Sequence, residues 1–176
     1  MLRINIMSGL PGSGKTHYIN SRAYPKDIKL HRDEMRTKLR EALGSKDYFP
    51  ISSKEEYRFW LQLICNNITA QLTAKEPASI WIDQTTLNVD SAVKLIKGFL
   101  PVVPNLDDIH ITFYVLHTPL NVCLERDAQR TGFQHVGEKT IRSMADSFHF
   151  FSAGIIDRLP KLDQHFNILH IANYGC

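Results

Sequence analysis

Three features of the sequence predict a three-layer α/β fold built on a central parallel sheet of about five strands. Apolar runs of strand length alternate with amphipathic stretches of helix length, the pattern of strands joined by crossover helices. The first run ends in a glycine-rich loop, Gly9-Leu10-Pro11-Gly12-Ser13-Gly14-Lys15-Thr16, that leads into a helix. The later runs are β-branched and carry little polar alternation, as strands covered on both faces do.

Leu2-Arg3-Ile4-Asn5-Ile6-Met7 alternates apolar and polar before Gly9 and predicts the first strand. Lys15 to Arg22 lacks breakers and predicts a short helix; Pro25 follows, then a second strand over Ile28 to His31. From Ser53 to Thr73, Tyr57, Trp60, Leu61, Ile64, Ile68 and Leu72 recur at spacings of three and four, one face of a long helix packed on the core. Pro77 ends that stretch, and Ser79-Ile80-Trp81-Ile82-Asp83 reads as a buried strand closing on a carboxylate. Val89 to Leu100 predicts a helix stopped by Pro101 and Pro104, and Ile109 to Leu116 is the strongest strand signal in the chain. Pro119 opens a helix expected to reach about Arg130. A further helix over Glu138 to Phe150 and a last strand over Phe166 to Ala172 complete the series.

With 176 residues, 43% hydrophobic and 22% charged, one globular domain spanning 1–176 is expected, without low-complexity segments. No signal peptide or membrane-length apolar run is present, so a cytoplasmic protein is expected. Cys65, Cys123 and Cys176 are far apart, which points to incidental or buried thiols rather than a disulfide framework or a metal site. The net charge of +3 does not by itself indicate a nucleic-acid binder. Seven basic residues against three acidic ones between Asn20 and Arg40 form a local basic stretch, open to reading as a solvated helix face. Among the histidines, only His31 falls near the expected site, in a strand-end structural role.

Gly9 to Thr16 matches G-x-x-x-x-G-K-[ST] in full, between a predicted strand and a predicted helix, which identifies a P-loop. Gly9, Gly12, Ser13 and Gly14 let backbone N–H groups surround phosphate oxygens at the positive end of the following helix. Lys15 is expected on the β- and γ-phosphates and Thr16 on Mg²⁺, so ATP or another nucleoside triphosphate and Mg²⁺ are the expected cofactors. The fold expected is therefore a P-loop NTPase/kinase fold, with a helical lid over approximately 126–150.

Three further groups belong with the loop. Asp83, at the carboxyl edge of the sheet, either holds Mg²⁺ directly or through water, or caps the next turn. His31-Arg32-Asp33-Glu34-Met35-Arg36 begins like a protein-kinase catalytic loop, but Lys38 stands where that loop has asparagine, and no Asp-Phe-Gly follows. Asp33 with Arg36 one turn on reads equally as an acceptor-side base with an anion-gripping partner or as a helix cap with a salt bridge. Arg126 and Arg130 either cover the phosphates from the lid or pair with Glu125 and Asp127 as solvated charges.

GLPGSGKT, HRDEMR, IDQTTLN and LERDAQRTG followed by EKTIRSM, in this order through nearly the whole length, resemble the kinase domain of the bacteriophage polynucleotide 5′-hydroxyl kinase family. The resemblance implies that Lys15 and Thr16 hold the donor phosphates and Mg²⁺, and that Asp33 is the general base. It places Arg36 on the phosphate beside the acceptor hydroxyl, and Arg130 on the donor phosphates with Arg126 one turn before it. Asp83 and Thr85 match the Asp-x-Thr form of the wider family on the substrate side, while Gln84 stands where the phage pattern has its aspartate. No Asp-x-Asp-Gly-Thr phosphatase motif is present, so a stand-alone kinase is implied.

The expected activity is ATP-dependent phosphoryl transfer to a nucleic-acid hydroxyl, foremost the 5′-OH of DNA or RNA, with a nucleic-acid strand as partner and no membrane. Oligomeric state is not predicted, and a homo-oligomer stays open. A hydroxymethylated base or a small-molecule or nucleoside hydroxyl is the alternative acceptor. A nucleotide-gated binding module is the reading from another class.

Overall fold

The computed structural model describes residues 1–47, 49–149 and 152–173. Five strands form one parallel sheet: β1 (Leu2–Ser8), β2 (Ile28–His31), β3 (Ile80–Asp83), β4 (Ile109–His117) and β5 (Phe166–Ala172), in the order β2-β3-β1-β4-β5. Ile4 pairs in register with Ile80 on one side and Ile111 on the other, so β1 is central and, Arg3 apart, its side chains are buried on both faces. This order puts the end of β1 where successive connections turn to opposite faces, the crevice in which open α/β sheets bind ligands.

Seven α-helices lie among the described residues: α1 (Lys15–Arg22), α2 (Arg32–Ala42), α3 (Ser53–Leu72), α4 (Val89–Phe99), α5 (Leu120–Ala128), α6 (Glu138–Asp146) and α7 (Ser152–Arg158). The main core lies on one face of the sheet, where Ile4, Ile6, Ile82, Ile111 and Phe113 meet Trp60, Ile64 and Ile68 of α3 and Ile96 and Phe99 of α4. On the other face Met7, Trp81 and Leu116 pack on Ile19 of α1. A third cluster, Leu10, Cys123 and Ile141, ties the glycine loop to α5 and α6. These make the three layers that the sequence predicts. No helix among the described residues is long and apolar enough to cross a membrane.

Several boundaries differ from expectation. Pro119 occupies the N-cap of α5 rather than its first turn, and α5 stops at Ala128, which leaves Arg130 on the connection beyond the helix. Helix α2 begins at Arg32, with His31 at its N-cap, so Asp33 lies inside the first turn and is not the cap residue. The helix expected to reach Phe150 ends at Asp146, because the His149 backbone N–H turns to the Leu87 carbonyl; Phe150 itself lies outside the described residues, as does Cys176. Helix α7 was not expected from the sequence; its Gly154 lets Val89 approach, since a Cβ there would stand 3.2 Å from the valine methyls.

Candidate active site

The glycine loop leaves β1 and enters α1 through Gly12 and Gly14, whose φ angles of 80° and 92° disfavour residues with a side chain. A Cβ on Gly12 would also come within 2.6 Å of the Cys123 carbonyl oxygen, so the loop is seated directly on α5. Three side chains from distant segments hold that seat by donating to its carbonyls. Thr118 Oγ1 and Asn173 Nδ2 donate to the Ser13 carbonyl at 2.9 and 2.7 Å, and Arg126 Nη1 donates to the Gly12 carbonyl at 3.0 Å. Ser13 Oγ is buried without a hydrogen-bond partner. A buried hydroxyl at the mouth of a helix N-terminus, in a loop held by its carbonyls, fits a phosphate ligand.

Lys15 Nζ donates to the Gly9 and Leu10 carbonyls at 3.0 and 2.9 Å. Desolvation pulls its pKa below the ordinary lysine value and outweighs the attraction of Asp83 and Asp33; the Arg130 charge pulls in the same downward direction. Charges from three separate segments therefore converge on this ammonium. Thr16 Oγ1 donates to Asp83 Oδ2 at 2.6 Å, and His31 Nδ1 lies 3.0 Å from the same oxygen. Parallel register sets the latter contact, because His31 and Asp83 are partners at the ends of β2 and β3. Burial alone would raise the Asp83 pKa, yet the bonds from His31 and Thr16 and the charge of Lys15 carry it below the usual carboxylate value. An ionised carboxylate beside a hydroxyl is a hard-oxygen donor set that fits Mg²⁺.

Asp33 projects from the first turn of α2 with its side chain 83% exposed and accepts from Arg36 Nη1 at 2.9 Å. Arg36 also donates from Nη2 to Glu56 Oε2 at 3.2 Å, while Arg32 grips the same carboxylate in a bidentate manner at 2.8 and 3.1 Å. Glu56 is thus the buried anchor of both arginines, its side chain 4% exposed. The sequence contains a signal for it that residue-by-residue reading passed over. Glu56 stands four residues before Trp60 on the stripe that continues to Ile64 and Ile68, a carboxylate in register with a core face.

Burial pushes the Glu56 carboxyl up, but the Arg32 hydrogen bonds and charge and the Arg36 charge prevail and its pKa is lowered. Its stabilising contribution is therefore complete above the unfolded carboxyl pKa and is lost as pH falls through the lowered folded value. Glu56→Ala strips Arg32 of its carboxylate partner and Arg36 of its buried one, and is expected to reduce folding stability at neutral pH by about 3 kcal/mol. Urea unfolding reads this as a lower midpoint; an unchanged midpoint at pH 7 would contradict the anchoring role.

Arg126 reaches the loop, as described, whereas Arg130 Nη1 lies 3.8 Å from Asp127 Oδ1 with its side chain 37% exposed. Asp127 is itself buried and accepts the backbone N–H groups of Val136 and Gly137, which fixes the turn into α6. Thr118, Asn173 and Glu56 are the supporting residues absent from the sequence reading, and Asp127, expected only as a solvated ion-pair partner, is buried. Thr85 is half-buried two residues past Asp83. It sits between Gln84, which accepts from Trp60 Nε1, and Thr86, whose carbonyl accepts from Ser8 Oγ. Lys15, Thr16, Asp33, Asp83, Arg126 and Arg130 thus gather at one end of the sheet, with Arg36 between the exposed Asp33 and the buried Glu56. Among the described residues no cluster of three or more His, Cys, Asp or Glu suited to a metal is found.

A glycine loop at the switch point of a parallel sheet, with lysine, threonine and carboxylate gathered over it, defines a nucleotide-binding P-loop kinase, a phosphotransferase. The chain belongs to the family AAA_33, described as an AAA domain, whose model matches residues 4–151. No curated protein sequence matches the chain. Solved structures share the fold at low identity. A sugar kinase from Janibacter sp. HTCC2649 is 17% identical with a TM-score of 0.55, covering 97% of this chain and 86% of that one. A Deinococcus radiodurans tunicamycin resistance protein is 16% identical with a TM-score of 0.53, covering 99% and 88%. A chain of a Pnkp1/Rnl/Hen1 complex is 21% identical with a TM-score of 0.53 over 77% of this chain, which spans 42% of that one.

Proposed function

We propose that this kinase transfers the terminal phosphoryl group of ATP or another nucleoside triphosphate to a hydroxyl at a nucleic-acid end, the 5′-OH of DNA or RNA, with residues 1–176 acting as one kinase domain. The observation that carries the reading is the Asp33–Arg36 pair, which puts a proton acceptor and a fixed cation side by side at the carboxyl edge, within electrostatic reach of Lys15. A hydroxyl flanked by a phosphate matches both partners at once, and the order of motifs resembling polynucleotide 5′-hydroxyl kinases supports the same acceptor.

Asp33 takes the proton from the acceptor hydroxyl as its oxygen forms a bond to the γ-phosphorus. The bond from that phosphorus to the bridging β–γ oxygen breaks, and the nucleoside diphosphate leaves with the electron pair. Lys15, freed from its loop carbonyls, follows the charge on the β- and γ-oxygens, and Ser13 Oγ finds its partner there. Arg126 keeps the loop in its cradle through Gly12, while Arg130 supplies charge to the transferred group. Thr16 and Asp83 would hold Mg²⁺, which when bound neutralises phosphate charge. Thr85 lines the acceptor side beyond Asp83.

An acceptor comparison tests this reading. Labelled phosphate is expected on a 5′-OH oligonucleotide and on a nucleoside 3′-monophosphate, and far less on a bare nucleoside or a hexose. Arg36→Ala is expected to raise KM for the phosphate-flanked acceptors about 10- to 100-fold, the loss of charge-assisted hydrogen bonds, with a smaller change in kcat. Transfer confined to the bare nucleoside or the hexose would falsify the nucleic-acid acceptor.

A further inference from the structure

Two large aromatic side chains stand out on the acceptor side, Phe49 at 58% and Phe133 at 48% exposure. Each lies against an arginine of α2: the Arg36 guanidinium carbon is 5.4 Å from the Phe49 ring centre, and that of Arg40 is 4.4 Å from the Phe133 ring centre. Arg36 and Arg40 are four residues apart on one helix face, about 6 Å along the axis. The two rings reach that face from different parts of the chain, Phe49 from the connection between α2 and α3, and Phe133 from the lid. Singly exposed aromatics are ordinary. Two rings brought to one face, each backed by a cation and starting beside the Asp33–Arg36 pair, combine flat apolar surface with anion attraction. That is the chemistry of a single-stranded nucleic-acid groove, where bases stack on aromatics and arginines meet the backbone.

Resting on the proposed nucleic-acid acceptor, we infer that Phe49 and Phe133 are stacking platforms for the bases nearest the acceptor hydroxyl, with Arg36 and Arg40 facing the intervening phosphates. The acceptor is then an unpaired strand end, because a duplex leaves only the outer face of its terminal pair open and cannot offer two successive bases to two rings. The platform also tells nucleotides from phosphorylated sugars, which carry the anion but no base.

The test compares a 5′-OH single strand with the same strand carrying abasic sugars at its first two positions, so phosphates and hydroxyl are unchanged. For the wild-type protein, KM is expected to be about tenfold lower on the base-bearing strand, with kcat alike on both. Phe49→Leu and Phe133→Leu are expected to raise KM about tenfold on the base-bearing strand and to leave the abasic strand unchanged. Phe49→Trp and Phe133→Trp should restore the preference. Equal KM values on the two strands for the wild-type protein overturn the stacking inference, and this comparison needs no variant to fold. Equal losses on both strands in the leucine variants also overturn it, by assigning the rings a structural role. Absence of transfer to either strand by the wild-type protein, with transfer to a non-nucleotide acceptor, instead defeats the acceptor reading on which the inference rests.

Discussion

Asp33→Asn is expected to lower kcat by about 10²- to 10⁴-fold, the span over which a positioned general base contributes, while nucleotide affinity stays within a few-fold. The asparagine keeps the size of the side chain and an oxygen for Arg36 to bond, so the Arg36–Glu56 anchor survives and only the ability to take a proton is lost. The nucleotide loop is built from other segments, which is why binding should persist: Gly12 and Ser13 are tied to Arg126, Thr118 and Asn173, which stand in other parts of the chain than Asp33. The high exposure of Asp33 is what a substrate hydroxyl requires for access. Asp33→Ala should be as inactive as the asparagine variant, and in both the loss of the negative charge relieves Lys15 of one attraction. Single-turnover transfer with saturating nucleotide, alongside a direct nucleotide-binding titration, checks both halves. A variant that turns over within threefold of the wild-type rate would remove Asp33 from the chemistry and leave it a partner of Arg36.

Much of the fold is legible in the sequence because its signals are local. The run from Leu2 to Met7 meets Gly9, Lys15 to Arg22 contains no breaker, and Phe166 to Ala172 is a plain strand; the structure forms these elements within a residue of the expected bounds. The positions of Lys15, Thr16 and Asp83 at one end of the sheet follow from strand order, since each stands at the carboxyl end of a predicted strand or just after it. What was not legible is non-local. The His31–Asp83 contact depends on the register of β2 against β3, which no feature of either short strand announces. Asn173 lies 160 residues from the carbonyl it bonds, and Thr118 lies 105 away. Asp127 reads as one more helix-face charge, although its burial under Val136 and Gly137 makes it the fastener of the lid. The break after Asp146 likewise comes from a tertiary contact, the pairing of His149 with the segment before α4, and not from a glycine or proline in the sequence.

The two lid arginines should separate cleanly. Arg130→Ala is expected to reduce kcat by about 10³- to 10⁵-fold with little effect on nucleotide affinity, the behaviour of a charge used chiefly as the phosphoryl group transfers. Its geometry suits that use. At 3.8 Å the Asp127 contact is an ion pair too long for a hydrogen bond, so few contacts must be given up for the guanidinium to turn toward the loop. Its charge already reaches far enough to disfavour the Lys15 ammonium and the Cys123 thiol, but burial is the larger influence on each. Asp127 stays put meanwhile, because the Val136 and Gly137 N–H groups hold it independently. Arg126 differs in being committed to the Gly12 carbonyl at 3.0 Å, so Arg126→Ala should loosen the loop and weaken nucleotide binding more than it slows the chemical step. Arg130→Lys retains the charge without the planar fork and should recover only part of the lost rate. Pre-steady-state transfer measured with saturating nucleotide distinguishes the two residues. If Arg126→Ala carries the larger loss in the chemical step and Arg130→Ala loses less than tenfold, the assignment is reversed: the loop-bound arginine acts on the transferred group, and Arg130 is a surface charge of the lid.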